Sequence, residues 1–135
     1  IMPVRVLDAQ GMGNIWVLAE GLLHAIDPDG DPGTDDGAQV INVSLGTTNE
    51  SDLIEDILEI VTCDDDDDDD AVRCELYGGS VVVGAAGNSG DTTRHYPAAE
   101  EEDGVIAVAA SNEARALAEF STRGTWVQLT APGED

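Results

Sequence analysis

Lysine is absent from this sequence of 135 residues, and five arginines are its only strongly basic side chains. The 29 acidic residues that oppose them leave a net charge of −24 at neutral pH. Nucleic acids and anionic membranes bind cationic patches, so this charge balance argues against both as partners. Abundant carboxylates without lysine are also typical of halophilic proteins, because high salt screens the self-repulsion of the chain.

Long apolar runs are lacking as well. No stretch approaches the roughly 18 apolar residues that a membrane span needs, and no signal peptide opens the sequence. The first residues, 4–7 (VRVL), already have the composition of a buried strand, which is abrupt for the start of a protein. We therefore expect an interior piece of a longer chain, although 135 residues suffice for one domain with its own core.

Cysteine is scarce. Cys63 and Cys74 flank a run of seven aspartates, residues 64–70, which must be solvated because adjacent like charges cannot pack. A disulfide between the two cysteines would stabilise the protein by about 2–4 kcal/mol and would imply an oxidising, extracellular compartment. Two free thiols in a cytosolic protein are the alternative. Zinc is not expected, because two cysteines supply only half of a tetrahedral site and no histidine pair lies nearby.

Apolar runs alternate with helical periods along the rest of the chain. The runs have the continuous apolar character of strands that are buried on both faces, and the stretches between them repeat at the i, i+3, i+4 spacing of amphipathic helices. We therefore predict an α/β fold, a three-layer parallel sheet with helices on both faces and right-handed crossovers. The predicted strands are residues 4–7, 40–45, 80–86, 105–110 and, more weakly, 126–129, and the predicted helices are 15–26 and 53–61, the second capped by Asn49 or Ser51.

Two acidic insertion loops, at about residues 27–38 and 63–74, interrupt this pattern. Asp27, Asp29 and Asp31 alternate in the first loop as carboxylates do in calcium loops. The loop lacks the full spacing and the terminal glutamate of an EF-hand, so a surface turn is the competing interpretation. We predict that the protein requires no cofactor. If Asp27, Asp29 and Asp31 bind a metal ion, we expect that ion to be calcium.

The ends of two predicted strands carry distinctive residues. Ligands bind at the carboxyl ends of strands in open parallel sheets. Ser44-Leu45-Gly46 follows the strand at 40–45, and the small residues Ala85-Ala86-Gly87 lead to Asn88 after the next strand. A neutral amide donor can stabilise a developing negative charge without titrating. Taken alone, the second motif is better explained by a glycine-rich turn in which asparagine merely tolerates left-handed φ.

The order of the motifs decides between these interpretations. Eight segments follow one another along nearly the whole chain: VRVL (4–7), Gly11-Met12-Gly13, VINVSLG (40–46), VVVGAAGN (81–88), Tyr96-Pro97, VIAV (105–108), Phe120-Ser121 to Gly124, and Ala131-Pro132-Gly133. This series resembles the subtilisin-like serine proteases (subtilases, peptidase family S8). VINVSLG and VVVGAAGN are its specific parts.

The resemblance implies a serine endopeptidase that acts on peptides or proteins. It implies that Asn88 is the oxyanion-hole donor and that Ser44-Leu45-Gly46 and Ala85-Ala86-Gly87 are the two walls of the S1 pocket. Gly11-Met12-Gly13 would pair with the extended substrate backbone by strand addition, and Ile15 would line the S4 pocket. The resemblance further implies a cis bond before Pro97.

The departures from the family pattern concern the catalytic triad, which follows the chain order Asp, His, Ser in these enzymes. We expect this sequence to begin after the histidine and to stop before the nucleophile. His24 and His95 do not occupy the catalytic histidine position, and Ser89 matches a position at the pocket rim. We therefore predict that the chain alone is inactive. We also predict that it either self-associates or forms a compact fold with rearranged edges, because segments that cover this sheet in relatives are missing.

Two other classes of protein are alternatives to a protease. A dinucleotide-binding domain fails on its motif, because Trp16 stands where the third glycine after Gly11 and Gly13 is needed, and the absence of lysine excludes a phosphate loop. A non-catalytic acidic or calcium-binding α/β module is the remaining alternative. A calcium-specific rise in melting temperature at matched ionic strength would favour it.

Overall fold

Helices and strands alternate along the described residues, which are 1–63 and 79–134 of the computed structural model. Within these ranges the regular elements are two helices and four strands. In chain order they are α1 (Ile15–Ile26), β1 (Val40–Val43), α2 (Asp52–Thr62), β2 (Val81–Ala85), β3 (Val105–Ser111) and β4 (Leu129–Pro132).

The four strands form one sheet in the order β1-β2-β3-β4. β2 pairs in parallel with β3, from Val82 opposite Val105 to Ala85 opposite Val108. β3 in turn pairs in parallel with β4, starting at Val108 opposite Leu129. Parallel neighbours that follow one another along the chain need a crossover connection, and α2 lies between β1 and β2. The predicted parallel α/β fold is confirmed.

Helix α1 forms where the apolar spacing predicts it. Asn14 occupies the N-cap, and its Oδ1 accepts a hydrogen bond of 3.1 Å from the Val17 N–H, which satisfies one of the unpaired donors of the first turn. The helix contacts α2. Its buried side chains are Ala19, Leu22, Ala25 and Ile26.

Helix α2 also forms where the apolar spacing predicts it. Ser51 is its N-cap residue, and Asp52 and Glu55 in the first turn interact favourably with the positive end of the helix dipole. The helix ends at Cys63, which adopts the left-handed conformation at φ 59°. The buried side chains Ile54, Ile57, Leu58 and Val61 lie three or four residues apart, as expected of one helix face.

Two of the predicted strands were wrong. Residues 4–7 form no strand: Val4 and Arg5 are exposed, and Val6 packs against α1, where a methyl group at Gly21 would lie 2.5 Å from Val6 Cγ1. A strand requires a neighbouring backbone, and among the described residues the sheet ends at β1. The last strand runs from Leu129 to Pro132 instead of 126–129, because Trp126 is buried in a side-chain cluster before β4 begins.

The described residues divide into two compact units. The first comprises the described parts of Ile1–Ile41 and Ser51–Val81 together with Glu102–Gly104, and it contains both helices. The second comprises Asn42–Glu50, Val82–Glu101 and residues from Val105 onward, and it contains most of the sheet. The core of the second unit consists of Ala86, Tyr96, Ala98, Ala99, Ala107, Ala109 and Trp126. No described helix is long and apolar enough to cross a membrane.

Candidate functional site

The residues after β1 are held by a backbone bridge within the second unit. Thr47 N–H donates to the Tyr96 carbonyl at 2.9 Å, and Tyr96 N–H donates to the Thr47 carbonyl at 2.8 Å. Gly46 lies so close to this bridge that a methyl group on it would be 2.8 Å from the Tyr96 carbonyl oxygen. Ser44 is exposed and Leu45 half-buried just before it. The end of β1 is therefore tied to the segment that carries His95.

The residues after β2 approach the same segment. Gly84 lies against Ala98, where an added methyl group would be 2.7 Å from the Ala98 Cβ. Ala86 is buried, and its N–H donates to the Val108 carbonyl at 2.9 Å. Gly87 has φ +105°, and a methyl group there would lie 2.6 Å from Cδ2 of His95. Only a residue without a side chain fits this backbone and this contact.

His95 and Tyr96 thus connect the two segments that the sequence predicted as walls of one pocket. The His95 ring lies against Gly87, and its Cβ is 3.9 Å from where a methyl group on Gly46 would be. Nε2 of His95 is buried and has no hydrogen-bond partner among the described residues. The adjoining Tyr96–Pro97 bond is cis, as the resemblance implied. Sequence reasoning gave His95 no role, although its position directly before Tyr96-Pro97 was the available signal.

Asn88 is exposed at the turn that follows β2. The peptide groups on either side of it are held by Thr122, which is fully buried. Thr122 N–H donates to the Gly87 carbonyl at 2.9 Å, and Ser89 N–H donates to Thr122 Oγ1 at 3.2 Å. A rigid backbone with a solvent-facing carboxamide can present a hydrogen-bond donor in a fixed place. Sequence reasoning did not single out Thr122, which lies inside the Phe120-Ser121 to Gly124 motif.

Asp91 completes the turn. Its Oδ1 accepts hydrogen bonds from Ser89 Oγ at 2.6 Å and from Thr93 N–H at 2.9 Å. The Ser89 hydroxyl, followed by the Thr93 backbone, lowers the pKa of the Asp91 carboxyl. Hydrogen bonds to the charged form explain this direction. The Ser89 hydroxyl is therefore a donor to a carboxylate.

Gly11, Met12, Gly13 and Ile15 lie in the first unit. A tight turn precedes α1: Met12 N–H donates to Asp8 Oδ1 at 2.9 Å, and the Met12 carbonyl accepts from Asp8 N–H at 2.8 Å. Both backbone groups of Met12 are therefore engaged within the turn. Gly11 has φ +75° and open space around it, and Ile15 is the half-buried first residue of α1.

The first acidic loop brings together a different set of carboxylates from the one expected. Oxygen atoms of Asp27, Asp29 and Asp36 all lie within 4.8 Å of one another. Asp31 is outside this group, and its Oδ1 accepts the Gly33 N–H at 3.0 Å in a local turn. The loop closes on itself so that Asp36, seven residues after Asp29, takes the place that Asp31 had in the prediction.

The predicted Cys63–Cys74 disulfide and the aspartate run fall largely outside the described residues. Cys63 lies at the end of α2, whereas Cys74 and residues 64–70 are not described. The pairing stays a prediction.

Comparison with known proteins identifies a family for the whole chain. A sequence profile of the subtilase family matches residues 1–135, which is the whole chain. The chain belongs to the subtilase family. It is 38% identical over 135 residues to the thermophilic serine proteinase of Bacillus sp. (strain AK1) and 34% identical over 133 residues to the minor extracellular protease Epr of Bacillus subtilis (strain 168).

These relatives are much longer proteins. The match covers 100% and 98% of this subtilase chain but only 28% and 17% of the two relatives, respectively. The family assignment therefore rests on the full length of this chain, and the activity of a complete protein is a separate matter.

Proposed function

We propose that, in the complete protein, this chain supplies the substrate-binding walls and the oxyanion donor of a serine endopeptidase. The observation that carries the proposal is the position of Asn88, exposed directly after the buried strand β2 and the small residues Ala85, Ala86 and Gly87. Membership of the subtilase family supports it. The substrates would be peptides and proteins.

The chemistry explains why an asparagine suits this position. A serine oxygen attacks the carbonyl carbon of the peptide bond while a histidine accepts the serine proton. The carbonyl oxygen becomes negatively charged in the tetrahedral intermediate, and a fixed hydrogen-bond donor beside it lowers the barrier. The Asn88 carboxamide would donate this bond and remain neutral at any working pH. We assign neither the serine nor the histidine of the triad to this chain.

The walls of the S1 pocket would be Ser44-Leu45-Gly46 and Ala85-Ala86-Gly87. Their common contacts with His95 and Tyr96 within one unit support this assignment. Gly11-Met12-Gly13 would pair with the substrate backbone by strand addition. Since the Gly11 N–H and both backbone groups of Met12 bond to Asp8, we assign the pairing to the Gly11 carbonyl and to Gly13, and we assign Ile15 to the S4 pocket.

The test replaces Asn88 in the complete protease. In a subtilisin, the reference case for this effect, loss of one oxyanion donor costs about 10²–10³-fold in kcat, and we expect a loss of that size for Asn88→Ala with little change in KM. Asn49→Ala is the matched control, because Asn49 is also an exposed asparagine of the second unit. An Asn88→Ala enzyme with the kcat of the parent would overturn the proposal.

We also propose that the chain alone does not hydrolyse peptides. A general base must lie within hydrogen-bond reach of its nucleophile. His24 is exposed on α1, and Nε2 of His95 is buried without a partner among the described residues. A fluorophosphonate probe should not label the purified 135-residue chain, whereas it should label the complete enzyme. Labelling of the chain alone would contradict this expectation.

Calcium binding by the first acidic loop stays a prediction, with Asp36 in place of Asp31. Oxygen ligands lie about 2.3–2.6 Å from calcium, so two of them are at most about 5 Å apart, and oxygen atoms of Asp27, Asp29 and Asp36 lie within that distance of one another. Calcium should raise the melting temperature more than sodium chloride of equal ionic strength does. Asp36→Asn should abolish the rise, and Asp31→Asn should leave it in place. Equal responses of both variants would exclude this group as the site.

Export to an oxidising compartment follows from the predicted disulfide, and one relative is named as an extracellular protease. The denatured, unreduced protein should therefore give no colour with a thiol-reactive reagent, because both cysteines would be held in the disulfide. Two reactive thiols per chain would indicate that Cys63 and Cys74 are reduced.

Self-association of the chain alone also stays a prediction. Large apolar side chains, among them Met12, Trp16, Val40 and Leu129, are exposed. Sedimentation should reveal association that weakens with dilution, and a monomer that does not bind an apolar dye would contradict it.

A further inference from the structure

Thr122 contacts the chain on both sides of Asn88, although 34 positions separate the two in sequence. Its N–H donates to the carbonyl of the preceding residue, Gly87, at 2.9 Å. Its Oγ1 accepts the N–H of the following residue, Ser89, at 3.2 Å and lies 2.9 Å from Ser89 Oγ. Thr122 has 0% of its surface exposed, so its own polar groups are shielded from water. One buried residue thus holds both peptide groups that flank Asn88.

The direction of the hydroxyl bonds follows from the number of protons. Ser89 Oγ has a single proton and donates it to Asp91 Oδ1 at 2.6 Å. The proton in the contact between the two hydroxyls must therefore come from Thr122. Thr122 Oγ1 accepts from Ser89 N–H and donates to Ser89 Oγ at the same time. A side chain without a hydroxyl would leave both Ser89 groups without this partner.

The segment around Thr122 is itself attached to the sheet. Ser121, which is 1% exposed, accepts the Ala110 N–H of β3 through its Oγ at 2.9 Å. On the other side, Arg123 N–H donates to the Asp91 carbonyl at 3.0 Å. Residues 121–123 therefore connect β3 with the turn at 87–91, all within the second unit.

We infer that Thr122 is a positioning residue for Asn88. It holds the Asn88 carboxamide where the oxyanion develops. The inference rests on the proposed role of Asn88. An oxyanion donor is effective because it is already in place when the charge appears, and a displacement of about 1 Å can cost roughly 10²-fold in rate. Thr122 contributes no group to the substrate. It acts through the backbone of Gly87 and Ser89.

The experiment compares Thr122→Val and Thr122→Ser in the complete protease. Valine keeps the volume of threonine but has no hydroxyl, so we expect kcat to fall by about 10–100-fold while KM changes by less than about 3-fold. Serine keeps the hydroxyl, and kcat should stay within about 3-fold of the parent value. Thermal unfolding of each variant, monitored by circular dichroism, establishes that the assayed protein is folded.

A double-mutant cycle separates positioning from a general structural role. Once Asn88→Ala has removed the carboxamide, Thr122→Val has no donor left to displace and should lower kcat by less than about 2-fold. An equal loss in the parent and in the Asn88→Ala background would overturn the inference. An unchanged kcat for Thr122→Val would overturn it too.

Two further outcomes are distinguishable. If Asn88→Ala alone leaves kcat unchanged, the proposed function fails, and the role of Thr122 falls with it. If Thr122→Val does not fold, Ser89→Ala tests the same contact from its other side: Ser89 is exposed, and its removal deletes the contact with Thr122 Oγ1 together with the hydrogen bond to Asp91 Oδ1, while the bond of the Ser89 N–H remains. We expect Ser89→Ala to lower kcat by about 3–10-fold in the parent and not in the Asn88→Ala background.

Discussion

At the scale of single residues, the conformation of the site depends on positions that admit no side chain. Gly87 combines φ +105° with direct contact to the His95 ring. Gly11 also has a positive φ, +75°, but nothing lies within 4 Å of the place where its Cβ would be. The two glycines therefore separate the cost of backbone conformation from the cost of a steric clash.

We predict that Gly87→Ala is clearly more destabilising than Gly11→Ala. The positive φ should cost each variant about 1–2 kcal/mol, and displacement of the His95 ring should add about 1–3 kcal/mol at Gly87. Urea unfolding measures both free energies. The double variant Gly87→Ala/His95→Ala should recover part of the loss. If it recovers none, the ring is not the obstacle.

Asp91 makes stability depend on pH through its lowered pKa. A carboxyl whose folded pKa lies below its unfolded value, 3.8, stabilises the protein above that value. This stabilisation is lost as the pH falls through the folded pKa. We predict that Asp91→Asn lowers the urea midpoint at neutral pH and that its difference from the parent vanishes in strong acid. A difference that is independent of pH would contradict the role of the charge.

At the scale of elements, adjacent residues of α1 have opposite environments. Leu22 is 2% exposed, whereas Leu23 is 38% exposed. Leu22→Ala should therefore lower the free energy of unfolding by about 2–5 kcal/mol, because it leaves a cavity under the helix. Leu23→Ala, at the next position of the helix, should lower the free energy of unfolding by less than about 1 kcal/mol. Chemical unfolding of the pair checks this, and equal losses would place Leu23 in the core.

The helices could be predicted because their signal is local. The apolar residues of α1 and α2 repeat with the helical period, and both helices lie within one residue of their predicted bounds. Strands carry a weaker signal, since each needs a partner supplied by distant sequence. Residues 4–7 have the composition of a strand but no sheet neighbour within 1–63 and 79–134, and the last strand begins at Leu129, three residues later than predicted.

At the scale of the whole molecule, the charge of −24 governs the response to salt. The Debye length shrinks from about 8 Å at physiological ionic strength to about 3 Å at 1 M, so repulsion between carboxylates weakens. We predict a melting temperature that rises steadily with sodium chloride. Replacing the seven aspartates at 64–70 by asparagine should reduce this dependence. A melting temperature that is insensitive to salt would contradict the halophilic interpretation.

The candidate site, like the fold, could be predicted from the sequence only in part. Asn88 and the two wall motifs were predictable because they lie in two contiguous sequence motifs, VINVSLG and VVVGAAGN. The resemblance alone implied that these motifs are walls of one pocket, and only the structure shows that Gly46 and Gly87 both approach His95. The first acidic loop illustrates the limit: alternation suggested Asp31, but the folded loop brings Asp36 to Asp27 and Asp29 instead, while Asp31 accepts the Gly33 N–H.

Sequence by itself determined the helices, the parallel α/β class, the subtilase family and the identity of the proposed oxyanion donor, since each depends on neighbouring residues or on a short motif. Only the tertiary structure decided which distant groups hold that donor. The Thr122 hydroxyl meets Ser89, 33 positions away, because Ser121 attaches its segment to β3. No local pattern encodes such a hydrogen bond, which exists only after the sheet has brought the two segments together.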